Sequence, residues 1–152
     1  MDIQPGDCLL YRPTSLFGWL IAVKTWTKVS HCEIALGDDM AAASRDGLGV
    51  NLYPLRTADL AYVLRPNHPF DFARAADWFQ SVRGQKYDWK GLLCFTLAAK
   101  QGAKDRMFCS EFATRFYRAG GFVPFGDVMD ADKVPPSLFL FSSSFTVIWQ
   151  AE

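Results

Sequence analysis

This sequence lacks the marks of a nucleic-acid binder, a membrane span, a cystine scaffold and a zinc site. Its 16 Lys and Arg balance 16 Asp and Glu, for a formal net charge of zero. No run of five basic residues occurs, and phosphate neutralisation needs clustered cations, so no nucleic-acid partner is expected. The longest apolar stretches, such as Leu16 to Val23 interrupted by Gly18, fall well short of the roughly 20 residues a bilayer-spanning helix requires. No membrane span is expected. The opening Met1-Asp2-Ile3-Gln4-Pro5-Gly6 has neither the basic nor the apolar region of a secretory signal, which implies a protein made in the cytoplasm and not exported by that route. Cysteines 8, 32, 94 and 109 form no Cys-x-x-Cys pair, and the histidines are only His31 and His68. Metal-ligand spacing is absent, and neither a metal nor another cofactor is implied.

What the chain does have is apolar mass: 50% of its 152 residues are hydrophobic and 15% aromatic. A domain of this length buries roughly 68 to 70% of its unfolded surface, so it folds without disulfide or metal support. No repeat, low-complexity tract or linker divides it, and residues 1–152 read as one domain.

The periodicity changes part-way along. Pro5-Gly6-Asp7 launches a short apolar strand, Cys8-Leu9-Leu10-Tyr11. Thr14 or Ser15 can cap a helix from Leu16 to about Trp26, with Leu16, Trp19, Leu20 and Val23 at helical spacing. Ser30 to Leu36 reads as a strand that turns at Gly37-Asp38-Asp39 into Met40 to Ser44, and Val50 to Leu55 and Ala61 to Leu64 add two more. This half is a meander of antiparallel strands. After Pro66-Asn67-His68-Pro69, the residues Phe72, Ala75 or Ala76, Phe79 and Val82 mark a helix closed by Gly84. Further helices are expected over Asp88 to Lys100 and about Phe108 to Ala119, the latter stopped by Gly120-Gly121. Leu138 to Phe141 and Phe145 to Trp149 are apolar segments whose type the pattern does not fix. Strands followed by helices give an α+β domain, an antiparallel sheet packed against helices.

Cys109 falls in the first turn of the helix that Phe112, Ala113 and Phe116 anchor. Unpaired amides and the macrodipole at a helix start favour negative charge, so a thiol there loses its proton more easily and gains backbone donors for an oxyanion. His31 lies on a strand, where alternation places it with Glu33 on one face and Cys32 on the other. An imidazole there can take a thiol proton. Cys8, Cys32 and Cys94 are expected to be core residues, and His68 an exposed turn residue. The tryptophans and phenylalanines are core first.

Several strings resemble the circularly permuted branch of the NlpC-type papain-like cysteine peptidases and amidases. They are Pro5-Gly6-Asp7-Cys8-Leu9-Leu10, Ser30 to Gly37, Gly49-Val50 before Tyr53-Pro54-Leu55, Gly84-x-x-Tyr87-Asp88-Trp89, Phe108-Cys109-Ser110-Glu111-Phe112 and Val134 to Leu138. The resemblance implies a permuted papain-like fold, with Cys109 as nucleophile, His31 as general base and later acid, and Tyr87 assisting the oxyanion. Where that family usually carries a polar residue to orient the histidine, this sequence has Ala42; Ser44, on the same face as Ala42, or Glu33, beside His31, is expected to substitute. The function implied is a cysteine hydrolase acting on peptide or amide substrates, cell-wall peptides foremost. Without a signal, delivery by a phage tail would make it virion-associated and give it tail or assembly proteins as partners. An inactive binding module of the same fold and a lipid acyl-hydrolase or acyltransferase are the alternatives.

Overall fold

The computed structural model describes residues 2–24, 26–88 and 106–152. The elements are β1 (Cys8–Tyr11), α1 (Leu16–Lys24), β2 (His31–Gly37), β3 (Met40–Arg45), β4 (Gly49–Pro54), β5 (Leu60–Pro66), α2 (Phe72–Val82), β6 (Lys86–Tyr87), β7 (Arg106–Met107), α3 (Cys109–Ala119), α4 (Leu138–Phe141) and β8 (Phe145–Gln150). A 3₁₀ turn spans Ala131–Lys133. The fold is α+β, an antiparallel sheet packed against a few helices. The helix expected over Asp88 to Lys100 lies, beyond Asp88, outside the described residues, as does Cys94. No described helix is long and apolar enough to cross a membrane.

Six strands run in the order β4-β3-β2-β1-β5-β8. The expected meander holds from β1 to β4, but β5 leaves β4 and crosses over to pair with β1, from Cys8 opposite Leu64 to Tyr11 opposite Leu60. The reason is legible in β1. All four of its residues are apolar and fully buried, and a strand with no polar face is stable only in the middle of a sheet with both faces covered. The β2–β3 hairpin turns at Asp38 and Asp39, with φ of 50° and 56°, which Asp tolerates better than branched residues do. Phe145–Gln150, whose type the pattern left open, becomes the edge strand beside β5.

Alternation divides the sheet's side chains between two clusters. Cys8, Leu10, Cys32, Ile34 and Ala42 turn toward the helices and pack with Phe79, Phe112 and Phe116. Leu9, Tyr11, Ala35, Ala41 and Val63 face the other side, against Ile3, Leu55 and Trp149. Helix α2 begins at Asp71, whose side chain accepts from the Arg74 amide at 2.9 Å; such a cap contributes about 1 kcal/mol. Helix α3 lies deeper, with Cys109 to Thr114, Phe116 and Tyr117 all buried.

In α1 the expectation of an inward stripe fails. Trp19, Leu20 and Val23 are 58%, 60% and 67% exposed, while Ala22 is buried. On a helix that is apolar nearly all round, spacing alone does not select the face that turns inward.

Candidate active site

Cys109 is the first residue of α3, and Phe108 precedes it as an N-cap with no side-chain hydrogen bond. The first-turn amides are therefore left without the usual capping oxygen and point toward the sulfur's end of the helix. Three contacts fix this end. Ser110 Oγ donates to the Val134 carbonyl at 2.6 Å, and Thr114 Oγ1 to the Ser110 carbonyl at 2.8 Å. Just upstream, Ser44 Oγ donates to the Met107 carbonyl at 2.5 Å. Ser44 thus holds β7 against β3, two residues before the nucleophile position. It makes this contact on the helix-facing side of the sheet, and Glu33, not Ser44, is the residue bonded to His31.

His31 opens β2, where its ring lies 5.9 Å from that of Tyr11 and its Nε2 is 2.9 Å from Glu33 Oε1. Glu33 is fully buried. Its carboxylate also accepts two bonds from Arg45, at 2.8 and 3.0 Å, and one from Arg56 Nη2 at 3.4 Å. Arg56 lies over the Tyr11 ring at 4.6 Å and pairs with Asp59 at 3.2 Å. A buried carboxylate persists only when so compensated.

The charges follow from these neighbours. Burial would raise the Glu33 carboxyl, but hydrogen bonds from His31 and Arg45 hold it at about 2. Burial likewise opposes the imidazolium, yet the charge and hydrogen bonding of Cys109, with Glu33 behind, raise His31 to about 9. The Cys109 thiol is held well below its ordinary value, first by a hydrogen bond from Cys32, against desolvation, and then by the positive imidazole. The two displacements favour the thiolate and the imidazolium together. Tyr87, paired with Met107 across β6 and β7, keeps its phenolic proton because burial and the nearby Cys109 charge both disfavour ionisation. A protonated phenol beside an anion is a donor.

A glycine makes the Tyr87 placement possible. Gly49 has a φ of +76°, and a Cβ there would stand 2.2 Å from the Gln85 carbonyl oxygen. Its bare backbone lets the 84–87 segment close on β4, where Val50 N–H donates to the Gln85 carbonyl at 2.8 Å.

Of the expected site residues, His31, Glu33, Tyr87 and Cys109 come together. Sequence reasoning missed two others. Arg45 and Arg56 were not singled out, though Arg45 continues the alternation of β3 onto the Glu33 side. Cys32 lies in the core, as expected. Ala42 is fully buried on that same helix-facing side.

The comparisons correct the family. No protein-family model matches the chain, and no curated protein matches it. Five solved chains do match. One is the metalloprotein YiiX of Escherichia coli O157:H7, described as DUF1105, with a TM-score of 0.76 and 16% identity over 99% of both chains. The likeness is one of fold. The resemblance to the NlpC-type papain-like peptidases is therefore overturned, and with it the cell-wall peptidase function drawn from it. The physical reason lies in the strings that suggested them. A Pro-Gly turn, an alternating strand, a glycine before a strand and a small residue opening an apolar helix are what any such sheet and helix junction needs, so they specify local structure and not ancestry.

Proposed function

We propose that the protein is a cysteine hydrolase that cleaves an amide or ester through a thioester on Cys109. The observation that carries this reading is Cys109 at the first position of α3 with His31, held by buried Glu33 through Nε2 at 2.9 Å, as the charged neighbour that favours its thiolate. Such a pair supplies a nucleophile and an acid in one encounter.

The Cys109 thiolate attacks the carbonyl carbon, and the carbonyl π electrons move to oxygen. The first-turn amides of α3 and the Tyr87 hydroxyl stabilise the resulting oxyanion. As the oxyanion collapses, the bond to the leaving nitrogen or oxygen breaks, and the His31 imidazolium gives that atom its proton. Neutral His31 then takes a proton from water, whose hydroxide adds to the thioester; collapse expels the thiolate and releases the acid. Glu33 holds the imidazole in orientation throughout, as the carboxylate of a triad does. Cys109 is 2% exposed and the His31 side chain 18%, so substrate approaches from the imidazole side.

The neighbour's description as a metalloprotein invites a metal-dependent reading, which the donors among the described residues do not fit. Among the described residues no group of three or more His, Cys, Asp or Glu is arranged to hold an ion.

The test uses p-nitrophenyl acetate with the full chain. A burst of about one equivalent of nitrophenolate, an acetyl group located on Cys109 by mass spectrometry, and loss of both in C109A and H31A are expected. Turnover undiminished in C109A would refute the proposal.

A further inference from the structure

The Glu33 carboxylate is gripped on both oxygens. Oε1 accepts from His31 Nε2 at 2.9 Å and from Arg45 Nε at 2.8 Å, while Oε2 accepts from Arg45 Nη2 at 3.0 Å. A guanidinium that bonds both oxygens of a carboxylate fixes its plane as well as its place. A point charge would not, because the last torsion of a glutamate is broad.

The fork is itself anchored. Arg45 ends β3 opposite Gly49, and its side chain is 17% exposed. The guanidinium carbon lies 4.2 Å from the centre of the Tyr53 ring, and Nη2 also donates to the Pro54 carbonyl at 3.2 Å. The Tyr53 hydroxyl donates to the Gly49 carbonyl at 2.7 Å, which keeps the ring beneath the cation. Arg56 differs: it reaches Oε1 through one nitrogen at 3.4 Å and is shared with Asp59, so it supplies charge without fixing a plane.

We propose that Arg45, seated on Tyr53, is a positioning residue for His31: its fork locks the Glu33 carboxylate, and the locked carboxylate holds Nε2 of the imidazole, leaving Nδ1 as the nitrogen that passes the proton.

The role is felt where the leaving group needs a delivered proton. Nitrophenolate leaves without one, whereas the more basic phenolate of phenyl acetate draws on the imidazolium. A misaligned acid slows the second ester and spares the first; general damage to the fold slows both alike. The inference rests on the reading of Cys109 as nucleophile.

The experiment compares the wild type with R45K, which keeps the charge and loses the fork, with circular dichroism to verify the fold. The acylation rate of Cys109 is measured with p-nitrophenyl acetate and with phenyl acetate. The chain has two histidines, so nitrogen-15 histidine labelling reads both rings by NMR, and His68→Gln tells them apart. In the wild type the His31 Nε2 proton is expected to be protected from exchange. In R45K that protection is lost, phenyl acetate acylation falls roughly ten- to a hundredfold, the worth of one hydrogen bond to a charged group, and p-nitrophenyl acetate acylation is nearly unchanged. Should R45K unfold, Tyr53→Leu, which removes the seat and leaves the fork, takes its place with the same expectation. A variant that keeps both the protected proton and the phenyl acetate rate, or that slows both esters equally, would overturn this inference alone. A wild type whose Cys109 is acylated by neither ester would overturn the nucleophile reading and this inference together.

Discussion

Replacing Glu33 by Gln keeps the size and shape of the side chain and removes its charge. The carboxylate serves His31, Arg45 and Arg56 at 2.8 to 3.4 Å, so E33Q leaves three cations facing a neutral amide. Two estimates of the cost agree. The fall of the Glu33 carboxyl from 4.5 to about 2 corresponds to about 3 kcal/mol in favour of the charged form in the fold, and removing one partner from a buried ion pair costs roughly 3 to 5 kcal/mol. For a chain of this length 1 kcal/mol moves Tm by roughly 2 to 4 °C, so thermal unfolding followed by circular dichroism at pH 7 should show E33Q melting about 6 to 12 °C lower. The pH dependence is the sharper check. A carboxyl whose folded value is depressed contributes stability that is complete above its unfolded value, 4.5, and is lost as pH falls through the folded value, about 2. The gap between wild type and E33Q should therefore shrink to roughly half by pH 3. A gap under 2 °C at pH 7, or one unchanged at pH 3, would refute the assignment of Glu33 as the charged centre of this cluster.

The nitrophenolate burst should rise through the depressed Cys109 value, and cleavage of an amide substrate, whose leaving nitrogen needs a proton, should fall above about 9, where His31 ceases to be an acid; an amide rate still climbing at pH 10 would contradict the ion pair. Ser44→Ala leaves the Met107 carbonyl without its buried donor and should cost about 1 to 3 kcal/mol in urea unfolding, with a slower Cys109 alkylation because β7 is no longer held. Ala42→Asn, which places a polar group where a peptidase of the resembled family carries one, should lower Tm by several degrees without raising the ester rate, since Ala42 is fully buried among apolar neighbours. Glu111 is raised to about 7, chiefly by burial and against the pull of Arg115; its raised value contributes stability at low pH that is lost as pH climbs through 7. Glu111→Gln should then gain Tm on the wild type as pH rises from 4.5 to about 7 and level off above it.

The sequence by itself determined the local elements and their chemical load. Alternation from His31 to Leu36 fixed a strand with His31 and Glu33 on one face, and the Phe112, Ala113 and Phe116 pattern with Gly120-Gly121 fixed a helix that opens on Cys109. These depend on neighbours a few positions apart, which hydrophobic period and turn chemistry report directly. Only the tertiary structure decided that β5 returns to β1, that α1 turns Ala22 inward and Trp19 out, and that Arg45 and Arg56 converge on Glu33. Each of those pairings joins residues distant in the chain, and their energies come from burial and charge compensation that exist only once the sheet and α3 have closed on one another. Family membership was the part least legible, because short strings that build a strand or a helix start carry the same physics in unrelated chains.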